Sequence, residues 1–166
     1  MDKLDIKYKQ STVGLKTPKV EHGNLINVYA AEEVIISPSE TKAVKTATTY
    51  EVPEGYVMLI VPSLVIAEHS SLRFANSISF VPSGKKEELN LLLENVVPLG
   101  MRKNIAPEFH YIDGEFVQNN YSKGYLPVGS VVVRKGDCIG QAFLVKAESF
   151  TISRMAKRET KDEKQE

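Results

Sequence analysis

Val52-Pro53-Glu54-Gly55-Tyr56-Val57-Met58-Leu59-Ile60-Val61 is a turn followed by an unbroken apolar run. Proline presets the first dihedral of such a turn and glycine accepts a positive φ, so the chain reverses here. The run at 56–61 then reads as a buried central strand. Upstream, residues 42–52 supply another β-prone run containing Thr46, Thr48 and Thr49. Pro38-Ser39-Glu40 separates it from two expected strands at 25–31 and 33–37, rich in Val, Ile and Tyr. Leu4-Asp5-Ile6-Lys7-Tyr8 alternates apolar and polar with the period of a half-buried strand.

Downstream the pattern repeats. A strand is expected at 77–81, before the turn Pro82-Ser83-Gly84, while residues 89–97 fit strand or helix equally. Phe109-His110-Tyr111-Ile112 and Glu115-Phe116-Val117 flank Asp113-Gly114, a hairpin signal that favours a type I′ turn. Strands at 126–133 and 139–146 bracket the turn Lys135-Gly136-Asp137, and a short last strand is expected at 150–153. Many short strands between Gly/Pro turns, with scarcely a helix, make an all-β sandwich, jelly roll or barrel. Periodicity goes no further.

Composition sets the class. The 166 residues suit one domain, 42% hydrophobic and 25% charged, an ordinary globular mix. Lys plus Arg equals Asp plus Glu at 21 each, so no net field steers the chain toward nucleic acid or an anionic membrane. The single cysteine, Cys138, allows no internal disulfide and no multi-cysteine zinc site. His22, His69 and His110 are scattered without metal-ligand spacing. The opening residues carry charges where a signal peptide needs an apolar stretch, and no window approaches a membrane span. The expectation is a soluble cytoplasmic protein, in a host cytoplasm or a virion if a phage encodes it. One domain is expected over 1–153, followed by a charged, solvated tail over 154–166.

Three segments in order resemble the dUTPase family. Leu25-Ile26-Asn27-Val28-Tyr29-Ala30-Ala31-Glu32 is similar to its opening A-G-Y-D-[LI]-x-[AS]-x. Val52-Pro53-Glu54-Gly55-Tyr56 is similar to the P-x-G-Y turn before its second motif, and Gly136-Asp137-Cys138-Ile139-Gly140-Gln141 to its fourth, G-D-x-[IL]-A-Q. Asn76-Ser77-Ile78-Ser79-Phe80-Val81-Pro82-Ser83-Gly84 falls where the third motif, G-x-[IV]-D-x-x-Y-x-G, should lie. The pattern is closest to phage-type members, which carry a segment between the third and fourth motifs; residues 99–127 would be that insertion. The resemblance implies a trimer of jelly-roll-like, β-clip subunits with sites at the interfaces. In the family an aspartate activates water, a tyrosine stacks under the deoxyribose, Mg²⁺ grips the triphosphate, and a glycine-rich C-terminal motif closes over it.

Residue by residue, the chemistry is missing from the sequence. Ser79 stands at the aspartate position, and a hydroxyl is no ready general base. Pro82 stands at the tyrosine position and offers no aromatic face. Counting on from the P-x-G-Y turn places Ser63-Leu64-Val65 where R-S-G should stand, so the phosphate arginine is absent. Asn27 replaces the first motif's aspartate, Phe80 and Val81 are bulky where a base would sit, and no glycine follows Ser153.

The expected function is therefore a degenerate dUTPase homologue kept as a trimeric scaffold, structural or regulatory. One alternative is an active Mg²⁺-dependent dUTP diphosphatase with a relocated base from Glu68, His69 or Asp113; another is a nucleotide binder that does not hydrolyse. Gly136, Asp137, Gln141, Asn27 and Ser63 are the nucleotide-contact candidates, against a turn-capping role for Asp137. Tyr111, Phe116, Tyr121 and Tyr125 are the candidates for a protein partner, since Tyr and Phe anchor interfaces at low rotamer cost. No catalytic residue, resident cofactor or metal ligand is expected, apart from Mg²⁺ if the chain is active. The remaining expectations are that residues 139–153 hold subunit contacts, and that membrane and specific nucleic acid are not partners.

Overall fold

A computed structural model describes residues 3–98 and 106–156. In chain order the elements are β1 (Lys7–Gln10), β2 (Val20–Glu21), β3 (Leu25–Tyr29), β4 (Val34–Ile36), β5 (Thr41–Lys45), β6 (Thr48–Glu51), β7 (Tyr56–Pro62) and α1 (Leu64–His69). There follow β8 (Leu72–Phe74), β9 (Ser79–Pro82), β10 (Asn90–Asn95), β11 (Glu108–Tyr111), β12 (Phe116–Gln118), β13 (Val131–Val133) and β14 (Cys138–Lys146). The all-β expectation stands.

The apolar run at 56–61 does form the strand at its centre. β7 lies between β14 and β9 in a five-stranded sheet ordered β2-β3-β14-β7-β9. Because successive side chains face opposite ways, this sheet divides sharply. Ile26, Val28, Met58, Ile60, Val81 and Ala142 turn into the core. Val57, Leu59, Val61, Gln141 and Phe143 lie on the other, half-exposed face. The core is closed by β5-β10-β8, which contributes Val44, Leu91, Leu93, Leu72 and Phe74, and by Ile36 and Val133 from β12-β11-β13-β4. β1 and β6 form a separate antiparallel ribbon.

Several local expectations are corrected. The run at 42–52 is two strands, not one: Ala47 adopts φ +49°, a left-handed kink that sends β5 and β6 to different sheets. Residues 89–97 resolve as strand, because β10 is flanked on both sides by β5 and β8. The Asp-Gly hairpin is not type I′. Only Gly114 has positive φ (+81°), and Tyr111 N–H donates to Glu115 O, which closes a three-residue loop with glycine at its left-handed position.

α1 went unread in the sequence because Val65-Ile66 looks like strand. Ser63 starts it: its hydroxyl accepts the Ile66 amide at 3.4 Å, an N-cap that a serine before an apolar run signals. No strand forms at 150–153, and Phe150 and Ile152 stand in solvent. The tail beyond 156, the first part of the insertion (99–105) and Arg102-Lys103 lie outside the described residues. No described helix is long and apolar enough to cross a membrane.

Candidate functional site

Two of the dUTPase-like positions meet on the outer side of the five-stranded sheet. Asn27 on β3 and Gln141 on β14 are direct cross-strand partners, and Gln141 Nε2 donates to Asn27 Oδ1 at 3.3 Å. Each amide therefore spends one group on the other. Ser63 is more fully committed. Its Oγ donates to the Cys138 carbonyl at 2.6 Å while it caps α1, and the residue is buried. Leu64 and Val65, in the stretch where the phosphate arginine should fall, are exposed apolar side chains.

Asp137 holds its own turn. Its Oδ2 accepts the Arg134 amide at 2.7 Å and its Oδ1 lies 3.3 Å from Arg134 Nε. Gly136, at φ +88°, takes the backbone that this turn requires and donates its N–H to Ala30 O. Beside it, Lys16 packs along the space a Cβ would occupy and sets its ammonium over the Tyr29 ring. Burial pushes the Cys138 thiol up, away from the reactive thiolate, and its Sγ–H donates to Gly140 O.

β9 carries the third-motif positions on two faces. Ser79 and Val81 sit opposite Ile60 and Met58 on the core side; Phe80 and Pro82 sit opposite Leu59 and Val57 on the outer side. Val81 is thus core, and Phe80 alone of the two bulky residues faces outward, 59% exposed. No carboxylate is the cross-strand neighbour of Ser79, which faces Ile60.

The candidates for a relocated base do come together. Gly114 rests against the His69 carbonyl, where a Cβ would approach to 3.4 Å, so the hairpin tip that bears Asp113 adjoins Glu68-His69. All three are engaged. Glu68 and His69 face each other at 3.6 Å. The Glu115 amide, then the Arg134 guanidinium, hold the Asp113 carboxyl below the usual carboxylate range, which makes it a weaker base.

Arg134 had no signal in the sequence, and it organises the second candidate surface. Its guanidinium donates to Asp113 Oδ2 at 2.8 Å, lies 3.8 Å from Glu115 and stacks 3.9 Å over the Tyr111 ring, while also holding Asp137. One side chain thereby joins the insertion hairpin to the fourth-motif turn. Tyr111 is half-buried beneath the Arg134 guanidinium; Phe116, Tyr121 and Tyr125 are exposed, the last two in contact at 5.2 Å between rings. Phe116 packs on His110, and Lys123 reaches Glu33 at 2.6 Å.

No family model matches the chain. It is similar to the deoxyuridine 5'-triphosphate nucleotidohydrolases of Mycobacterium marinum (31% identity over 87 residues, 51% of this chain and 56% of the relative) and of Mycobacterium leprae (31% over 88 residues, 52% and 57%). It spans little more than half the length of these curated relatives. Among solved structures, the dUTPase from phage phi11 of S. aureus, described with its species-specific insert, superposes with a TM-score of 0.81. Identity there is 19%, covering 95% of this chain and 99% of that one. The fold is that of the dUTPases. A Staphylococcus bacteriophage 80alpha dUTPase mutant with dUpNHpp matches at TM-score 0.79 and 20% identity, over 93% of this chain and 99% of that one. It is described as controlling transfer of virulence genes. Another phi11 dUTPase structure is described as coordinating a structural Mg(II) ion.

On the dUTPase fold Asn27 offers a magnesium ion no carboxylate. Magnesium takes carboxylate and phosphate oxygens, whereas Asn27 is a neutral amide whose oxygen already accepts from Gln141. Among the described residues no three His, Cys, Asp or Glu side chains gather as cation ligands.

Proposed function

We propose that this chain is a catalytically degenerate dUTPase homologue that works as a homotrimeric scaffold and engages a protein partner through its insertion. The observation that carries this reading is Ser79. It occupies the general-base position on β9, paired across to Ile60. A hydroxyl there cannot take a proton from water near neutral pH, and loss of a positioned base removes about two to four orders of magnitude in rate. Pro82 removes the stacking face, and buried Ser63, followed by exposed Leu64 and Val65, offers no phosphate-gripping guanidinium.

The trimer draws support from the half-exposed outer face of the central sheet. Val57, Leu59, Phe80, Phe143 and Val145 form apolar surface that a lone subunit leaves in water, the kind of patch that marks an interface. The partner role draws support from Phe116, exposed on the hairpin that Arg134 clamps, and from Tyr121 and Tyr125, exposed in the loop that follows it. A regulatory role, rather than a purely structural one, accords with the description of the bacteriophage 80alpha dUTPase as a controller of gene transfer.

The test is an assay of the purified chain with dUTP and Mg²⁺. The reading expects no turnover above that of a heat-denatured control. Turnover that disappears when one of this chain's own side chains is replaced would overturn it.

A further inference from the structure

A sheet edge presents backbone N–H and C=O groups that can template pairing with another chain, and proteins blunt such edges with charge, proline or cover. Most edges here are blunted. β1 carries Lys7 and Lys9, β5 carries Lys42 and Lys45, β8 carries Arg73, and β9 ends on Pro82. At β4 the Lys42 ammonium donates to the Ile35 carbonyl at 2.7 Å. β12 differs: Phe116-Val117-Gln118 ends its four-stranded sheet with no charge and no proline.

The hairpin register shows which groups that edge leaves open. Tyr111 N–H donates to Glu115 O and Asn119 N–H to Pro107 O, so the hydrogen-bonded pairs fall at 111–115, 109–117 and 107–119. The pairs between them, His110–Phe116 and Glu108–Gln118, turn their backbone groups away from each other. On β11 those groups face β13. On β12 they face outward, and the Phe116 and Gln118 backbone groups have no partner among the described residues.

The surroundings of the edge are apolar and acidic. Val117 lies half-buried at the rim of the small core around Val132, and Phe116 stays 57% exposed on the other face. Residues 106–127 hold three carboxylates, Glu108, Asp113 and Glu115, against one ammonium, Lys123. Lys123 is committed to Glu33 and Arg134 to Asp113, whereas exposed Glu108, across from Gln118, forms no ion pair among the described residues. Just past β12, Tyr121 is held at φ +62°, a region that bulky side chains avoid. Asn119 Oδ1 accepts its N–H at 2.9 Å and its carbonyl accepts the Gly124 amide, a turn that sets its exposed ring against Tyr125. Aromatic faces attract Lys and Arg side chains.

We infer that β12 is a docking edge, to which a partner protein adds an extended segment of alternating apolar and basic residues. The segment's backbone takes up the open N–H and C=O groups of Phe116 and Gln118, and its side chains give selectivity. Its apolar side continues the cover over Val117; its cations match Glu108 and the Tyr121–Tyr125 pair. The inference rests on the partner role proposed above for the insertion, and names the mode and the chemistry of that partner.

The experiment uses the full chain and, as probe, a labelled synthetic peptide alternating valine and lysine. Fluorescence anisotropy is expected to show binding at up to millimolar peptide, with amide hydrogen exchange of the native chain slowing at Phe116 and Gln118. The same peptide with glutamate for lysine is expected not to bind, and Glu108→Lys to narrow the gap between the two. Gln118→Pro removes an outward donor without touching a bond to β11. It is expected to weaken binding about tenfold, the effect of one hydrogen bond, with far-UV circular dichroism unchanged. No binding, equal binding of both peptides, or unchanged exchange at Phe116 and Gln118 in the native chain would overturn the docking edge. Protection confined to Tyr121 and Tyr125 would overturn strand addition and leave the insertion as the partner surface; protection wholly outside residues 106–127 would count against both readings. A native particle whose mass grows with concentration, and stops growing in Gln118→Pro, would assign the edge to a further copy and overturn the basic partner.

Discussion

At the scale of the residue, the proposed degeneracy sets turn-forming groups apart from those that would touch substrate. Asp137, a carboxylate that caps its own turn, stabilises the fold whether or not a nucleotide is bound; Ser79 makes no such turn contact across β9, where it faces Ile60. Restoring one group is accordingly insufficient. Ser79→Asp should leave dUTP turnover at background, since Pro82, Leu64 and Val65 still offer neither stacking nor a phosphate clamp; pyrophosphate release measures it. Asp113 gives a pH signature. Its folded pKa is depressed by the Glu115 amide and Arg134, so its stabilising contribution is present above the unfolded value of about 3.9 and fades as pH falls through the folded one. Asp113→Asn should therefore melt below the native chain at pH 6, with the gap closing as the pH drops below about 4.

Elements show what the residue pattern could and could not reveal. Runs such as 56–61 and 139–146 announced themselves, because burial on one or both faces imposes a periodicity that any single sequence displays. α1 did not, since Val65 and Ile66 favour a strand and the deciding contact, the Ser63 cap, depends on where β7 happens to end. The Arg134 clamp was invisible for a different reason: Asp113 lies 21 positions away, and only the fold brings them together. The third-motif positions could be counted along the chain, but not that Ser79 and Pro82 fall on opposite faces of β9. Gly140 belongs here too. The family pattern has alanine at this place; a Cβ would come within 2.9 Å of Ile60 Cγ2 and 3.3 Å of the Val61 carbonyl, beside the register shift in β14. Gly140→Ala is expected to cost about 1–3 kcal/mol by overpacking, read from the midpoint of urea unfolding. Ser63→Ala should cost about 1 kcal/mol through the lost cap, and hydrogen exchange should quicken in α1 before any strand of the central sheet.

For the whole molecule, the half-exposed outer sheet face is the surface that the proposed trimer would cover. Sedimentation equilibrium is expected to return a mass near three times 18.5 kDa at micromolar concentration. If assembly buries that face, replacing Phe143 with Lys should dissociate the particle while sparing the fold, because the side chain lies outside the core of the single subunit.

The insertion bears on how such a protein can be dissected. Ile112 is seated in the main core, β11 bonds in parallel to β13 through His110–Val131 and Tyr111–Val132, and Phe109 with Leu126 shelters Val132. Cutting the segment out would strip one side of β13 and open the interior, so a shortened chain that fails to bind a partner reports unfolding as readily as recognition. Surgery on this region has to be done atom by atom, on the rings that face water, leaving the stem where it is.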